Sequence, residues 1–347
     1  MEYFAGLDVS LDSTSVCIVD EAGQIVAETS VATDVDSLEQ LLANWGVDLK
    51  RVGLEAFSIS SWLCGELAER GLPVHCIETR HANALLKTML NKTDRNDARG
   101  IAQMMRTGWF KEVHVKSVDA QKLRTLLIGR KAMLVKVLDM ENMLRGLIRP
   151  YGLKVGKIST GRFDMRIREL TESVPGLTDI VAPLLEARGV MRRQFAELHR
   201  LALRTARMDD AVRRMMTVPG VGAIVALTFR ATVDDPARFR RSRAVGAHFG
   251  LTPRRYQSGE TDRIGRISKC GDSLTRTMLF EAAVAVLTRI PRQSKLRSWG
   301  LKLVKKRGLK RAATAVARSI GVLLHRIWVD GSVFRPNGTR PPELVAA

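Results

Sequence analysis

Four carboxylates stand where a carboxylate needs a reason. Asp8 closes the apolar run YFAGLDVS (3–10), and Glu55 closes RVGLEA (51–56). An acidic side chain at the end of a buried strand is out of place unless a cation meets it. Asp94 and Asp97 stand three apart in NKTDRNDARG (91–100), so on a helix they share one face. Oxygen donors of this kind take hard divalent cations. Metal ions held by shared carboxylates activate a nucleophile and stabilise the leaving oxygen of a phosphodiester. Each acid alone has an ordinary explanation. Asp94 and Asp97 suit the first turn of a helix, Asp8 can cap a turn, and Glu55 can pair with Lys50 or Arg51. Together, in this order in one α/β segment, they point to a site for hard divalent metal ions. Lys92, Arg95 and Arg99 flank the helix pair, to limit its repulsion or to meet a phosphate strand.

The elements that must position these acids are legible as alternating strand and helix. YFAGLDVS, SVCIVD (15–20) and QIVAETSV (24–31) read as a three-strand antiparallel meander, with EAG (21–23) as a tight link. A helix over 36–46 follows, with Gly46 at its end, then a strand over 51–56 and a helix over 60–70. A strand over 73–78, helices over 80–88 and 94–107, and a short strand, EVHV (112–115), complete a mixed α/β domain over residues 1–115.

From about 118 the pattern turns helical. Leu123, Leu127, Leu134 and Leu138 form one stripe on a helix running to about 148. A second long helix is expected over 179–206, although Pro183 and Gly189 weaken it. The two suit an antiparallel pair or a coiled-coil contact between subunits. Between them, 150–178 reads as a linker holding a helix near 162–172. The region 116–207 is thus a helical middle, and 208–335 a mainly α domain followed by a tail, 336–347. In that last domain VPGVG (218–222) precedes an apolar helix. Gly220 and Gly222 there resemble the turn of a helix-hairpin-helix, whose backbone N–H groups hold a DNA phosphate. Further helices are expected over 273–288 and 311–328, with a basic run, KLVKKRGLKR (302–311), before the last.

Charge supports a polyanionic partner. The 347 residues carry a net charge of +20, unevenly spread. Residues 1–115 hold 10 Lys+Arg against 17 Asp+Glu, a net of −7; the remainder holds 46 against 19, a net of +27. A basic part suited to a phosphate backbone is joined to an acidic part suited to metal chemistry. No apolar run is long enough for a membrane span, and no leader precedes the first strand. The four cysteines show no paired spacing, as expected of reduced thiols in a cytosolic protein.

Five stretches together resemble one family: GLDVS (6–10), GLEA (53–56), NKTDRNDA (91–98), VPGVG (218–222) and GLTPRRYQSG (250–259), with RISKCGD (266–272) continuing the last. The chain is similar to the RuvC-like DEDD transposases of bacterial insertion sequences, the bridge-RNA-guided recombinases, and to the related Piv-type DNA invertases. The likeness spans most of the chain and is weakest over 150–178 and after 335. It implies an RNase H-like front domain in which Asp8, Glu55, Asp94 and Asp97 bind Mg²⁺. It also implies a C-terminal transposase domain whose serine, here Ser258, attacks DNA. Where the family commonly has Thr-Gly after the glutamate, this chain has Phe57-Ser58.

A serine hydroxyl is weak at its free pKa and needs a base or a metal. No His or Lys is fixed beside Ser258 in sequence, so activation must come from elsewhere. Arg254, Arg255, Arg266 and Lys269 are placed to steady a phosphate. The resemblance implies donor and target DNA as partners, a guide RNA that pairs with both, and a homo-oligomer, dimer or tetramer, in the cytoplasm beside the nucleoid. Three other readings stand against it. A Holliday-junction resolvase would use the four acids without Ser258. An actin-like sugar kinase would need a second phosphate loop, which is absent from the sequence. A non-catalytic DNA-binding protein would leave the acids without a purpose.

Overall fold

The computed structural model describes residues 1–44, 49–86 and 93–336. Lys92, Gly46 and the tail after Pro336 lie outside the described residues. The chain divides into two compact units, Met1–Lys116 and Ser117–Ala347. The helical middle read from the sequence lies inside the second.

The first unit is a five-stranded mixed sheet with helices on both faces. Its elements are β1 (Tyr3–Val9), β2 (Ser13–Val19), β3 (Ile25–Ala32), α1 (Val35–Asn44), β4 (Leu49–Glu55), α2 (Ser60–Glu69), β5 (Val74–Ile77), α3 (Thr79–Leu86) and α4 (Asp94–Thr107). Strand order is β3-β2-β1-β4-β5. The expected meander forms, and β1–β4 and β4–β5 are parallel. Side chains alternate across the sheet. Ala5, Leu7, Val52 and Leu54 join Leu38 and Leu42 of α1 and Leu63 and Leu67 of α2 in one core. Phe4, Cys17 and Val19 join Ile101, Ala102 and Met105 of α4 in another. EVHV is not a strand: only one bridge, Ile77 to Glu112, forms there. Two backbone bonds, Glu78 N to the Lys111 carbonyl and Val113 N to the Cys76 carbonyl, accompany that bridge.

The second unit begins with α5 (Val118–Leu147), α6 (Phe163–Thr171) and α7 (Leu177–Met208). α5 and α7 are an antiparallel pair within the chain. Arg130 Nε donates to His199 Nδ1 at 3.0 Å, and farther along Glu141 meets Arg188. Arg188 is wholly buried, and Asp164 Oδ1 at 2.6 Å and the Thr160 carbonyl at 2.9 Å complete its partners. A buried guanidinium requires such pairing. The inward stripe of α5 is Ala120, Leu127, Val137, Glu141 and Leu144. Leu138, expected on that stripe, is 48% exposed. The stripe follows a near-heptad drift that a straight 3.6-residue count misses. α7 continues through Pro183, close to its start.

The rest is α8 (Asp210–Met215), α9 (Ala223–Val233), α10 (Ala244–His248), β6 (Pro253–Ser258), β7 (Thr261–Ile267), α11 (Ser273–Thr288), α12 (Lys295–Arg307) and α13 (Leu309–Asp330). Ala313, Val316, Ala317, Ile320 and Leu324 of α13 are buried among α9 and α11 residues such as Leu227, Phe229, Leu279 and Ala283. The basic run 302–311 is helical on both sides of Gly308, forming the end of α12 and the start of α13. The β6–β7 hairpin has no counterpart in the sequence reading. Among the described residues no helix is long and apolar enough to cross a membrane.

Candidate active site

The acidic edge is built by close packing of backbones. Phe4, Gly6 and Asp8 share one face of β1. The parallel register sets Phe4 beside Arg51, Gly6 beside Gly53 and Leu7 beside Leu54, so Asp8 and Glu55 are neighbours at the ends of their strands. A Cβ on Gly6 would lie 2.2 Å from the Ala98 carbonyl oxygen and 2.3 Å from the Ala102 nitrogen. One on Gly53 would lie 2.6 Å from Met105 Sδ. α4 therefore rests directly on β1 and β4. Its C-terminal end lies over Phe4 and Arg51, where Arg51 Nη2 donates to the Arg106 carbonyl at 3.3 Å. Its N-terminal end, carrying Asp94 and Asp97, consequently runs toward Asp8 and Glu55.

Local chemistry fixes each part. Thr93 caps α4, its hydroxyl accepting from Asn96 N, and Asp94 and Asp97 lie in the first turn. Asp8, Glu55 and Asp97 are partly buried, while Asp94 is exposed. Asn83 of α3 donates to Glu55 Oε1 at 3.1 Å. The loop after Glu55 is tied back by Ser60, whose hydroxyl donates to the Glu55 carbonyl at 2.7 Å and accepts from Phe57 N at 2.8 Å. Phe57, at the departure from the family pattern, is 52% exposed.

Sequence reasoning missed the clamp on this helix. Glu28 of β3 takes both Arg95 and Arg99, with Arg99 Nη2 to Glu28 Oε2 at 2.8 Å and Arg95 Nε to the same oxygen at 2.7 Å. The Arg99 hydrogen bonds, and then those of Arg95, outweigh burial and hold the Glu28 carboxyl at about 2, far below its ordinary 4.5. Glu28 stands opposite Cys17, on the face that meets α4. Burial, with Glu28 nearby, pushes the Cys17 thiol up to about 11, so it stays protonated at neutral pH.

The donor set suits a hard cation: four carboxylates and an amide, on rigid elements at one sheet edge. Among the described residues no three His, Cys, Asp or Glu side chains are gathered tightly enough to hold a metal ion.

Ser258 has a different setting. It ends β6, pairs with Thr261, and precedes a two-residue turn in which Gly259 has φ +52°. Glycine first in a two-residue turn is the type II′ pattern. Every residue of β6 is exposed. Among the described residues no side chain hydrogen-bonds to the Ser258 hydroxyl. The hairpin is stiffened by Arg255, whose Nε and Nη2 meet Asp262 at 2.8 and 2.6 Å, and by Arg254 reaching the Ser268 carbonyl at 3.2 Å. Its base is a backbone crossing. A Cβ on Gly250 would lie 2.3 Å from Cys270 N, and one on Gly271 2.1 Å from the His248 carbonyl. Lys269, at this crossing, is exposed with φ +55°, a strained conformation for a side-chain-bearing residue. Arg266 is exposed on β7. Asp272, just beyond, caps α11. Burial raises its carboxyl, but Thr275 and Arg124 together hold it below the usual range.

Gly220 and Gly222 lie in the turn between α8 and α9. Gly220, with φ +81°, packs so closely that a Cβ would lie 2.5 Å from the Ala282 carbonyl of α11. Gly222 is exposed and precedes α9.

With this geometry in place, the comparisons with known proteins define the class. Residues 5–152 match a family model for the IS110-type DEDD transposase domain, and residues 212–298 match that of the Transposase IS116/IS110/IS902 family. The chain is 28% identical over 337 residues to the transposase for insertion sequence element IS1111A of Coxiella burnetii, covering 95% of this chain and 90% of that protein. It is 29% identical over 297 residues to a probable family 20 transposase of Pseudomonas aeruginosa, covering 82% and 86%. It is 24% identical over 285 residues to the transposase for insertion sequence element IS1328 of Yersinia enterocolitica, covering 82% and 85%. The chain is a transposase, an enzyme that cleaves and rejoins DNA, and in both matched regions it is similar to the IS110/IS116 family of insertion-sequence transposases.

Proposed function

We propose that this transposase cuts and exchanges DNA strands through a covalent phosphoserine link at Ser258, and that the reaction requires the carboxylates Asp8, Glu55, Asp94 and Asp97. The observation that carries the reading is the convergence of β1, β4 and the start of α4 on one edge. The order Asp-Glu-Asp-Asp also agrees with the DEDD designation of the model matched over residues 5–152. The first unit's topology is in keeping with an RNase H-like, RuvC-like domain.

The four carboxylates would hold Mg²⁺, or Mn²⁺ in its place. When bound, such an ion supplies Lewis-acid stabilisation of charge developing on the phosphate oxygens. Ser258 Oγ attacks the phosphorus, and one deoxyribose oxygen departs and takes up a proton. Rejoining reverses the exchange with a new deoxyribose hydroxyl, so the number of phosphodiester bonds is conserved. Arg254, Arg266 and Lys269 would steady the phosphate, and Arg255 both stiffens the hairpin and adds positive charge. Arg99 is assigned to positioning through Glu28. Lys92 remains a proposed strand contact. Gly222, with Gly220 shaping the turn, would offer backbone N–H groups to a phosphate in a helix-hairpin-helix manner.

The partners are donor and target DNA and a guide RNA. The net +27 of the remainder supports a polynucleotide without separating RNA from DNA. A dimer or tetramer is the proposed working form. Ile128, Val135 and Leu138 on α5 are 47%, 43% and 48% exposed and leave an apolar surface for a second copy. The cytoplasm, beside the nucleoid, is the proposed location. The test is strand cleavage with Mg²⁺, guide RNA and labelled DNA. Ser258→Ala should abolish cleavage while DNA binding persists. Continued cutting by that variant would instead indicate a resolvase-like hydrolysis.

A further inference from the structure

The basic run that the proposed mechanism leaves unused becomes a surface in the fold. Between Glu281 and Asp330 the chain has twelve Lys and Arg and no acidic residue. On α12, Lys295, Ser298, Trp299, Lys302 and Lys306 fall at i, i+3, i+4, i+7 and i+11, one helical face. Lys295, Ser298, Lys302 and Lys306 are exposed; Trp299 is partly buried, packed against the core of its unit. The N-terminal end of this face opens into a cleft of about 360 Å³ lined by Gln293, Ser294, Lys295, Ser298, Trp299 and Lys302. Its rim is fixed. Ser294 caps α12, its hydroxyl accepting from Arg297 N at 3.2 Å, and Lys295 N donates to the Pro336 carbonyl at 3.2 Å.

We propose that this cleft is a binding site for an unpaired polynucleotide strand, with one base on the Trp299 indole and flanking phosphates on Lys295 and Lys302. The inference rests on the nucleic-acid partner proposed above and identifies one place and one form of it. Three features favour an unpaired strand over a duplex. The cleft has room for a single nucleotide, not for a double-helical groove. Its one aromatic is anchored by the core on one side, which leaves a rigid platform for stacking. Stacking requires a base already out of the double helix. Lys295 and Lys302 are about 10 Å apart along the helix axis, which places them on either side of a seated nucleotide. Gln293 and Ser298 offer polar atoms to base edges without fixing one base, as in sequence-tolerant single-strand sites.

The experiment is fluorescence anisotropy of the full chain with labelled oligothymidine and oligouridine of about twelve nucleotides, and with a duplex of equal length. Trp299→Ala should weaken binding of the unpaired strands about tenfold, Trp299→Phe should retain most of it, and duplex binding should stay within about twofold. Lys295→Gln with Lys302→Gln should reduce the salt-dependence slope for single strands by about 1.4. The relative loss for thymidine and uridine strands tells which chemistry the site prefers. Equal single-strand affinity in wild type and Trp299→Ala overturns the inference. So does equal loss for strand and duplex in Trp299→Phe as well as in Trp299→Ala, which would make Trp299 a packing residue and not a stacking platform. If the wild type binds neither strand nor duplex, the nucleic-acid reading itself falls.

Discussion

Asp8 and Glu55 lie on adjacent parallel strands beneath a helix whose backbone crowds Gly6 and whose Met105 side chain crowds Gly53, whereas Ser258 lies at the end of a strand with every residue exposed. The acids are held by glycines that admit a helix, by a threonine cap, and by Glu28 gripping two arginines. The serine is held by one ion pair, a glycine turn and a backbone crossing at the hairpin's base. A two-stranded hairpin is only marginally stable in water. Charged groups that must share a small volume need rigid elements, because misplacement by about 1 Å weakens a site. A nucleophile that must enter and leave a DNA strand can sit on a limb that DNA itself orders.

The largest effects should come from the reacting groups. Asp97→Ala should reduce cleavage by at least about a hundredfold. Its thermal unfolding should change little, because Asp97 lies only partly buried in the first turn of α4. A large fall in unfolding temperature would assign Asp97 a structural role instead. Next comes the backbone contact. Gly6→Ala drives a methyl into the Ala98 carbonyl and should cost about 3 kcal/mol in denaturant unfolding. By contrast Gly259→Ala, which meets open space at positive φ, should cost about 1 kcal/mol and only loosen the hairpin. Equal costs would erase the contrast between the two regions.

The clamp gives an intermediate effect with a pH signature. Glu28 is held near 2 in the fold, so its contribution is complete above about pH 4.5 and is lost as pH falls through about 2. Glu28→Gln should cost about 1 kcal/mol at neutral pH and flatten the acid limb of stability across that window. An unchanged acid limb would show that the clamp does not hold α4. The smallest effect is at the crossing. Lys269→Gly relieves a left-handed backbone and should raise stability by up to about 1 kcal/mol while weakening DNA binding. Unaltered DNA affinity would remove Lys269 from the site.

The same contrast governs what the sequence reveals. The acidic edge is legible because its strands are apolar runs that end in an acid, and burial produces the pattern. The Ser258 hairpin is invisible to such reading. RRYQS and TDRIGRI carry no inward face, so no hydrophobic alternation marks them, although Gly259 between them marks a turn. The α5–α7 pair is legible in outline. Its inward register is not, because Glu141 and Arg188 occupy core positions as a salt bridge, which hydrophobic periodicity reads as surface. Gly220 is conspicuous in sequence as a turn residue, but its close approach to Ala282 needs the tertiary fold. Glu28 looks like an ordinary strand charge until α4 is laid across it.

The central claim is that Ser258 forms the covalent link to DNA and that the reaction requires the acids. The direct measurement is isolation of protein-linked DNA after denaturation, followed by digestion and mass mapping of the nucleotide-bearing peptide. Wild type should carry the nucleotide on Ser258, and Asp97→Ala, with Ser258 intact, should carry none. A nucleotide on another residue, or an undiminished Ser258 adduct in Asp97→Ala, would contradict it.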